Sequence, residues 1–136
     1  MINRMKIFSN YIEDEIDISK EKLSEDEIID SFYKLYDEDG SFWGIEDNEG
    51  KILQFCWLYS DTWLVDIPVP PDFINYQKKA DYEECILIIK NILKEKKVNP
   101  IAGMIRIDTM KTTLDAEIKK EHFSIQRFFG IKSQKG

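Results

Sequence analysis

Residues 41–70 constrain the fold most, because they read as three strands joined by two short turns. "SFWGIED" and "KILQFCWLY" flank the turn "NEG", and "TWLVDIP" follows the turn "SD". Strands joined by turns this short pair antiparallel. The run ends at Pro68, Pro70 and Pro71, since proline has no N–H to donate to a strand ladder. The sequence therefore predicts an antiparallel three-stranded meander.

Helical signals lie on both sides of this meander. Ser24 followed by Glu27 forms a capping box ahead of apolar residues at helical spacing, which predicts a helix over about Glu25–Tyr36. Asp81 and Glu84 open a second apolar stripe, which predicts a helix over about Tyr82–Lys96. A third helix is expected after a cap at Thr112. Residues 124–133 fit either a helix or a strand.

Outside the meander, "MKIFSNYI" (Met5–Ile12) reads as a first strand, and Met104–Asp108 reads as a last one. Glu13–Lys22 reads as a charged connector between the first strand and the first helix. The expected fold is α+β, with an antiparallel sheet made of the meander plus one or two further strands. Two to three helices should pack mainly on one face of the sheet.

Composition is that of a globular chain. The 136 residues predict a single domain over 1–136, and 43% of them are hydrophobic while 33% are charged. The N-terminus has no apolar leader before its first acids, and no apolar run approaches the roughly 18 residues that span a bilayer. We therefore expect a cytoplasmic protein that makes no membrane contact.

Charge is distributed unevenly along the chain. The net charge is −7, with a balance of −10 over residues 1–50 and +3 over residues 51–136. An acidic segment repels phosphate backbones, so the sequence argues against nucleic-acid binding. It would suit a basic protein partner, because complementary fields speed encounter and select the right mate. The alternative, which charge alone leaves equally open, is an acidic surface that only keeps the protein soluble.

The aromatic residues of the meander have two interpretations. Alternation places Leu53, Phe55, Trp57 and Tyr59 on one face of the middle strand. Both faces of that strand could be covered as core. Alternatively, one face could be partly open, in which case its aromatic side chains would anchor a partner. The predicted anchors are Trp43, Trp57 and Tyr59.

Acidic side chains are the predicted source of electrostatic attraction for that partner. A carboxylate rim around aromatic anchors is a credible protein-binding surface. The acids assigned to it are Glu13, Asp14, Asp17, Asp26, Asp37, Asp39, Glu46 and Asp47.

Motifs for catalysis or for metal binding are weak. Asp37, Asp39, Gly40 and Glu46 match four places of an EF-hand loop, but Leu35 takes the first place, which is normally Asp. A hairpin turn follows instead of a helix. His122, the only histidine, has no evident nucleophile or second metal ligand nearby in sequence. The sequence therefore predicts no catalytic residue, no metal and no cofactor.

The two cysteines do not suggest a functional pair. Cys56 lies in a strand-like run and Cys85 in a helix-like run, both among apolar neighbours. Their spacing matches neither a zinc site nor a redox pair. Two buried free thiols are therefore expected.

The pattern "FWGIEDNEGKILQF…WLVDIPVP…DYEECILIIKNIL" resembles the central part of small cytosolic immunity proteins from bacterial contact-dependent growth inhibition and other polymorphic toxin systems. The resemblance covers roughly Phe42–Leu93. It lies in element order and in a few residues, namely Gly50, Leu53, Gln54, Val65 and Asp66. It implies a non-enzyme that binds one cognate toxin domain, often a nuclease with a basic active site, and occludes it. It transfers no contact residue.

Two other functions stay open at this stage. The first is an acidic, phage-type inhibitor that mimics DNA and occupies the nucleic-acid channel of a host enzyme. The second is a small ligand-binding domain or a hydrolase, since glycosidase-type chemistry with two distant acids leaves no short motif. That function requires a pocket lined by His122 or by paired carboxylates.

Overall fold

An antiparallel sheet of seven strands forms the centre of the molecule, in the order β2-β1-β3-β4-β5-β6-β7. The structure is a computed structural model that describes residues 4–35 and 37–120. The strands are β1 (Lys6–Ser9), β2 (Ile16–Asp17), β3 (Phe42–Glu46), β4 (Ile52–Tyr59), β5 (Thr62–Ile67), β6 (Ile74–Ala80) and β7 (Ile105–Asp108). The helices are α1 (Glu25–Tyr33), α2 (Tyr82–Glu95) and α3, which begins at residue 114 and reaches the limit of the described part at residue 120.

The predicted α+β class is confirmed, and so is the meander, which forms β3, β4 and β5. Four strands join it, where one or two were expected. β2 is a two-residue strand inside the predicted charged connector. β6 was not predicted, because its sequence, "INYQKKA", does not alternate between apolar and polar residues. Two of its buried residues are the amides Asn75 and Gln77, so burial there does not follow hydrophobicity.

Both main helices begin at the predicted caps. Ser24 Oγ accepts a hydrogen bond from Glu27 N (3.1 Å), and Glu27 Oε1 accepts one from Ser24 N (3.0 Å). This capping box lowers the pKa of Glu27, first through its bond to the Ser24 backbone. Asp81 caps α2 in the same sense by accepting from Glu84 N (2.8 Å). The cap of α3 is Thr113 rather than Thr112, since Thr113 Oγ1 accepts from Ala116 N (3.2 Å).

One face of the sheet, the first face, packs against α1 and α2 around a cluster of aromatic rings. Phe32 on α1 is fully buried, and its ring centroid lies 4.9 Å from that of Trp63 and 5.2 Å from that of Phe55. Trp43 adds an edge-on contact with Phe32 at 6.1 Å and donates from Nε1 to Ser31 Oγ (2.8 Å). Most of the meander's aromatic surface is therefore core.

The opposite face of the sheet, the second face, has a polar centre. Asp66 on β5 is buried there, and its carboxylate accepts hydrogen bonds from the side-chain amides of Gln54 (2.8 Å), Asn75 (3.0 Å) and Gln77 (2.7 Å). Gln54, Asp66 and Gln77 lie in register on three adjacent strands, so they share this face. Three donors compensate for the loss of water around the carboxylate.

Removing the Phe32 ring should destabilise the fold strongly. We expect Phe32→Ala to lower the free energy of unfolding by about 3–5 kcal/mol, because the cavity would open between α1 and the sheet. Tyr33→Ala on the same helix is the matched control, since Tyr33 is 56% exposed, and it should cost about 1 kcal/mol or less. Urea unfolding followed by tryptophan fluorescence measures both, and equal losses would contradict this assignment of the core.

Candidate functional site

Exposed tyrosines and acidic side chains meet at one end of the sheet. The Tyr33 and Tyr82 rings are stacked, with centroids 6.1 Å apart and an interplanar angle of 10°. Tyr82 donates its hydroxyl hydrogen bond to Asp37 Oδ1 (2.6 Å), and Tyr11 donates to Glu38 Oε1 (3.1 Å). These five residues, Tyr11, Tyr33, Asp37, Glu38 and Tyr82, form a continuous patch that we call the tyrosine–acid surface.

The topology brings these residues together from distant parts of the sequence. β1 ends where β3 begins, since Ser9 pairs with Trp43, so Tyr11 lies beside the loop that connects α1 to β3. β6 ends at the same end of the sheet, because Ala80 pairs with Trp63 near the start of β5. α2 starts directly after Ala80. Asp61, in the turn between β4 and β5, fixes that start by accepting from Tyr82 N (2.8 Å).

Tyr82 and Tyr33 form the inner and the outer ring of the stack, since Tyr82 is half-buried and Tyr33 is exposed. Tyr82 is half-buried, and its ring also contacts Phe32 (5.3 Å) and Trp63 (5.4 Å) in the core. Burial raises the pKa of Tyr82, and the hydrogen bond to Asp37 raises it further, so the hydroxyl remains a donor. Tyr33 lies on the outer side of this stack. A ring held this way loses little side-chain entropy when a partner covers it.

Nine exposed carboxylates lie at this end of the sheet, two of them within the tyrosine–acid surface. They come from the loop after β1, the loop after α1, the β4–β5 turn and the start of α2. None of them lies within ion-pair distance of a lysine or arginine among the described residues. The two nearby lysines are engaged elsewhere, because Lys34 pairs with Asp30 and Lys79 pairs with Asp115. The nine carboxylates are those of Glu13, Asp14, Glu15, Asp37, Glu38, Asp39, Asp61, Asp81 and Glu83. We call this region the acidic end.

The predicted acids divide between two ends of the sheet. Four of them, Glu13, Asp14, Asp37 and Asp39, are exposed at the acidic end. Asp17 lies on edge strand β2, and its Oδ1 accepts from Lys20 N (3.0 Å). Asp26 is exposed in the first turn of α1. Glu46 ends β3 and so lies at the opposite end of the sheet from Tyr11.

Asp47 belongs to the fold rather than to a binding surface. Asp47 is only 2% exposed, and its Oδ1 accepts hydrogen bonds from the backbone N–H groups of Glu49 (2.8 Å) and Lys51 (2.9 Å). Oδ2 accepts from Val98 N (2.9 Å), which ties the β3–β4 turn to the chain that follows α2. Both carboxylate oxygens of Asp47 are thus engaged by backbone N–H groups that hold this junction. A partner cannot reach this carboxylate in the folded chain.

The three predicted aromatic anchors are not brought together. Trp43 is 0% exposed and lies in the core. Trp57 is half-buried on the first face, and its Nε1 donates to Ser60 O (2.9 Å). Tyr59 is exposed, but a bulge between Trp57 and Tyr59 shifts the register by one residue. Tyr59 therefore lies on the second face, where it contacts Lys79 Nζ through its hydroxyl (3.0 Å).

The sequence did not single out Tyr11, Tyr33 and Tyr82, the tyrosines that the structure brings together. Tyr33 had a local signal, since it falls just off the apolar stripe of α1 that buries Ile28, Ile29 and Phe32. Tyr82 directly follows the Asp81 cap, which places it at a helix start. Nothing in the sequence indicates that these tyrosines meet, because they are separated by 22 and 49 positions along the chain.

Groups suited to nucleophilic or metal chemistry are not assembled in the described residues. Burial, followed by the negative charge of Asp66, raises the pKa of the half-buried Cys56 thiol to about 11. The pKa of the buried Cys85 thiol is also raised, chiefly by burial. Both thiols are free, as predicted, but only Cys85 is buried, whereas Cys56 is half-buried. No trio of His, Cys, Asp or Glu within 4–35 and 37–120 is placed to hold a metal ion. His122 and residues 124–133 lie outside the described part.

Comparisons with known proteins add no relative. A scan against protein-family models, a search of curated proteins and a search of solved structures each find no match. Among the described helices, none combines the length and the apolar character needed to cross a bilayer.

The different roles of Asp47 and Asp39 can be separated by stability measurements. Asp47→Ala should lower the free energy of unfolding by about 2–3 kcal/mol, because three backbone N–H groups would lose a charged acceptor. Asp39→Ala should change it by less than about 0.5 kcal/mol, since Asp39 is exposed. Thermal and urea unfolding of the two variants provide the comparison. A stable Asp47→Ala variant would overturn the structural role assigned to Asp47.

Proposed function

We propose that this chain is an immunity protein that binds a cognate bacterial toxin domain with a basic surface, most fittingly a nuclease, and blocks its active site. It acts as a stoichiometric inhibitor inside the bacterial cytoplasm and not as an enzyme. The observation that carries the proposal is the acidic end, where nine exposed carboxylates without ion-pair partners among the described residues lie at the same end of the sheet as the stacked Tyr33 and Tyr82.

Charge complementarity identifies the kind of partner. Unpaired carboxylates at one end of a protein produce a local negative field, which attracts a basic surface and orients the encounter. Nuclease active sites must hold phosphate backbones and are therefore basic. The opposite end of this chain mixes Lys51, Lys94, Lys96 and Lys97 with Glu46, Glu49 and Glu95, and Lys51 and Lys97 both pair with Glu49. Carboxylates without ion-pair partners are concentrated at the acidic end, which favours one approach direction for a basic partner.

Tyrosines supply the contact area that charge alone lacks. Tyr33 offers an exposed ring face, and Tyr11 is also exposed beside Glu38. Tyrosine is enriched among residues that dominate binding energy, and aromatic faces attract lysine and arginine side chains. A basic partner would therefore bury the Tyr33 ring and exchange water around the carboxylates for charged hydrogen bonds. Occlusion follows from the size of the protein itself, so no chemical step is required.

Binding to the protein encoded by the adjacent upstream gene is the direct test. The full chain should form a one-to-one complex with the C-terminal domain of that protein in isothermal titration calorimetry and should stop its toxicity on co-expression. Affinity should fall as salt rises from 50 to about 500 mM, because exposed charges are screened over shorter distances. Absence of any complex and of any protection would reject the proposal. Capture instead of a DNA-processing host enzyme would favour the DNA-mimic alternative.

Charge reversal maps the docking face. The double variant Glu13→Lys/Asp39→Lys changes two exposed acids of the acidic end and should weaken the complex roughly tenfold or more, mainly through slower association. The double variant Glu21→Lys/Glu95→Lys is the matched control, since both acids are exposed at the opposite end of the molecule, and it should leave affinity nearly unchanged. Tyr33→Ala should weaken binding through faster dissociation. Equal effects at both ends would refute docking through the acidic end.

A further inference from the structure

A cavity of about 370 Å³ opens between the second face of the sheet and the start of α3. Its floor includes Leu58 and Leu64 from the sheet, and Leu114 on α3 forms the opposite wall. Gln77, from the polar cluster around Asp66, also lines it. The cavity lies on the second face, so it is separate from the tyrosine–acid surface. Its size falls within the range of small-molecule sites.

The orientation of the Gln77 amide is determined by its buried neighbour. Gln77 Nε2 donates to Asp66 Oδ1 (2.7 Å), and Asp66 receives further donors from Asn75 and Gln54. A carboxylate that collects three N–H groups acts only as an acceptor, so the nitrogen of Gln77, not its oxygen, must face it. The oxygen of Gln77, on the same amide carbon, therefore faces away from Asp66 and remains available as an acceptor.

This oxygen is open to a ligand although its residue is buried. Gln77 is only 7% exposed, and no hydrogen bond to its oxygen is present in the described chain. Among the described residues, the enclosed side-chain atoms that lack a hydrogen bond are Ser41 Oγ and Trp63 Nε1, so the Gln77 oxygen, which also lacks one there, is not fully enclosed. The cavity is the opening that the Gln77 side chain lines. An acceptor prepared in this way costs little reorganisation on binding.

The remaining lining favours a neutral ligand. Lys79 Nζ and Asp115 Oδ1, which flank the cavity, are paired at 2.6 Å and so offer no unbalanced charge. Three leucines supply apolar contact. Of the three threonines in the lining, Thr109 donates its hydroxyl to Phe73 O (2.9 Å), Thr113 Oγ1 accepts from Ala116 N (3.2 Å), and Thr112 adds one further hydroxyl. The Gln77 oxygen is left to accept one donor. A flat apolar body that carries one N–H group satisfies both demands.

We propose that this cavity binds a small, neutral heteroaromatic molecule whose ring N–H donates to Gln77 Oε1 while the ring lies against Leu58, Leu64 and Leu114. The site is independent of toxin binding and persists if the acidic end proves to bind nothing. No bond is made or broken in it, so it is a binding site and not a catalytic one.

Indole is the probe for this site, since it combines a flat apolar ring with a single N–H donor. Titration of the full chain followed by methyl and amide NMR should give saturable shifts at the three leucine methyl groups and at the Gln77 side-chain amide. N-methylindole, which lacks the donor, should bind roughly 3- to 10-fold more weakly, as expected for one lost hydrogen bond. Shifts that never saturate, or equal affinity for the two probes, would overturn the proposal.

Two variants locate the donor contact on the protein. Gln77→Leu should weaken indole binding to the level of N-methylindole and should abolish the difference between the two probes. Gln54→Leu is the matched control, because it removes one donor from Asp66 as Gln77→Leu does but keeps the Gln77 oxygen. It should preserve the preference for indole. If both variants lost the preference for indole over N-methylindole equally, Gln77 would be refuted as the acceptor. If either variant fails to fold, the affinities of the wild-type chain for the two probes decide whether the cavity accepts a ring N–H.

Discussion

The Phe32 ring joins the layers of this fold. It contacts Trp63, Phe55 and Trp43 of the sheet and Tyr82 of α2, so one side chain of α1 touches both the sheet and the other helix on its first face. Aromatic pairs at these centroid distances add directional contact to the burial of apolar area. Because Tyr82 also stacks on Tyr33, the outer surface of the candidate site rests on the same cluster. Core packing and site geometry are therefore parts of one arrangement.

Two buried carboxylates organise the chain where apolar packing cannot. Asp66 gathers three amides in the middle of the second face, and Asp47 gathers three backbone N–H groups at the junction of the β3–β4 turn with the chain after α2. A carboxylate left without such donors would be costly to bury. Both clusters depend on residues far apart in sequence. They explain why Gln77 can be buried, and why an acid predicted for the surface is part of the fold.

The acidic end is assembled by the direction of the strands and of α2. The loops after β1 and α1 and the β4–β5 turn all lie at one end of the sheet, and α2 begins there. Acids from residues 13–15, 37–39, 61, 81 and 83 thus meet, whereas Glu46 is carried to the other end by β3. The lysines at the end of α2 are carried away from this surface by the length of the helix. The acidic end thus combines acids from the N-terminal third with Asp61, Asp81 and Glu83 from later in the chain.

The sequence by itself determined the local elements. Turn residues and prolines defined the meander, capping residues defined the starts of α1 and α2, and both signals act over three or four neighbouring positions. Tertiary structure alone decided which aromatic residues are core, that β6 is a strand and that Tyr59 changes face at a bulge. It also decided that Tyr11, Tyr33 and Tyr82 meet. The physical reason is that burial and long-range pairing depend on partners that no local pattern specifies.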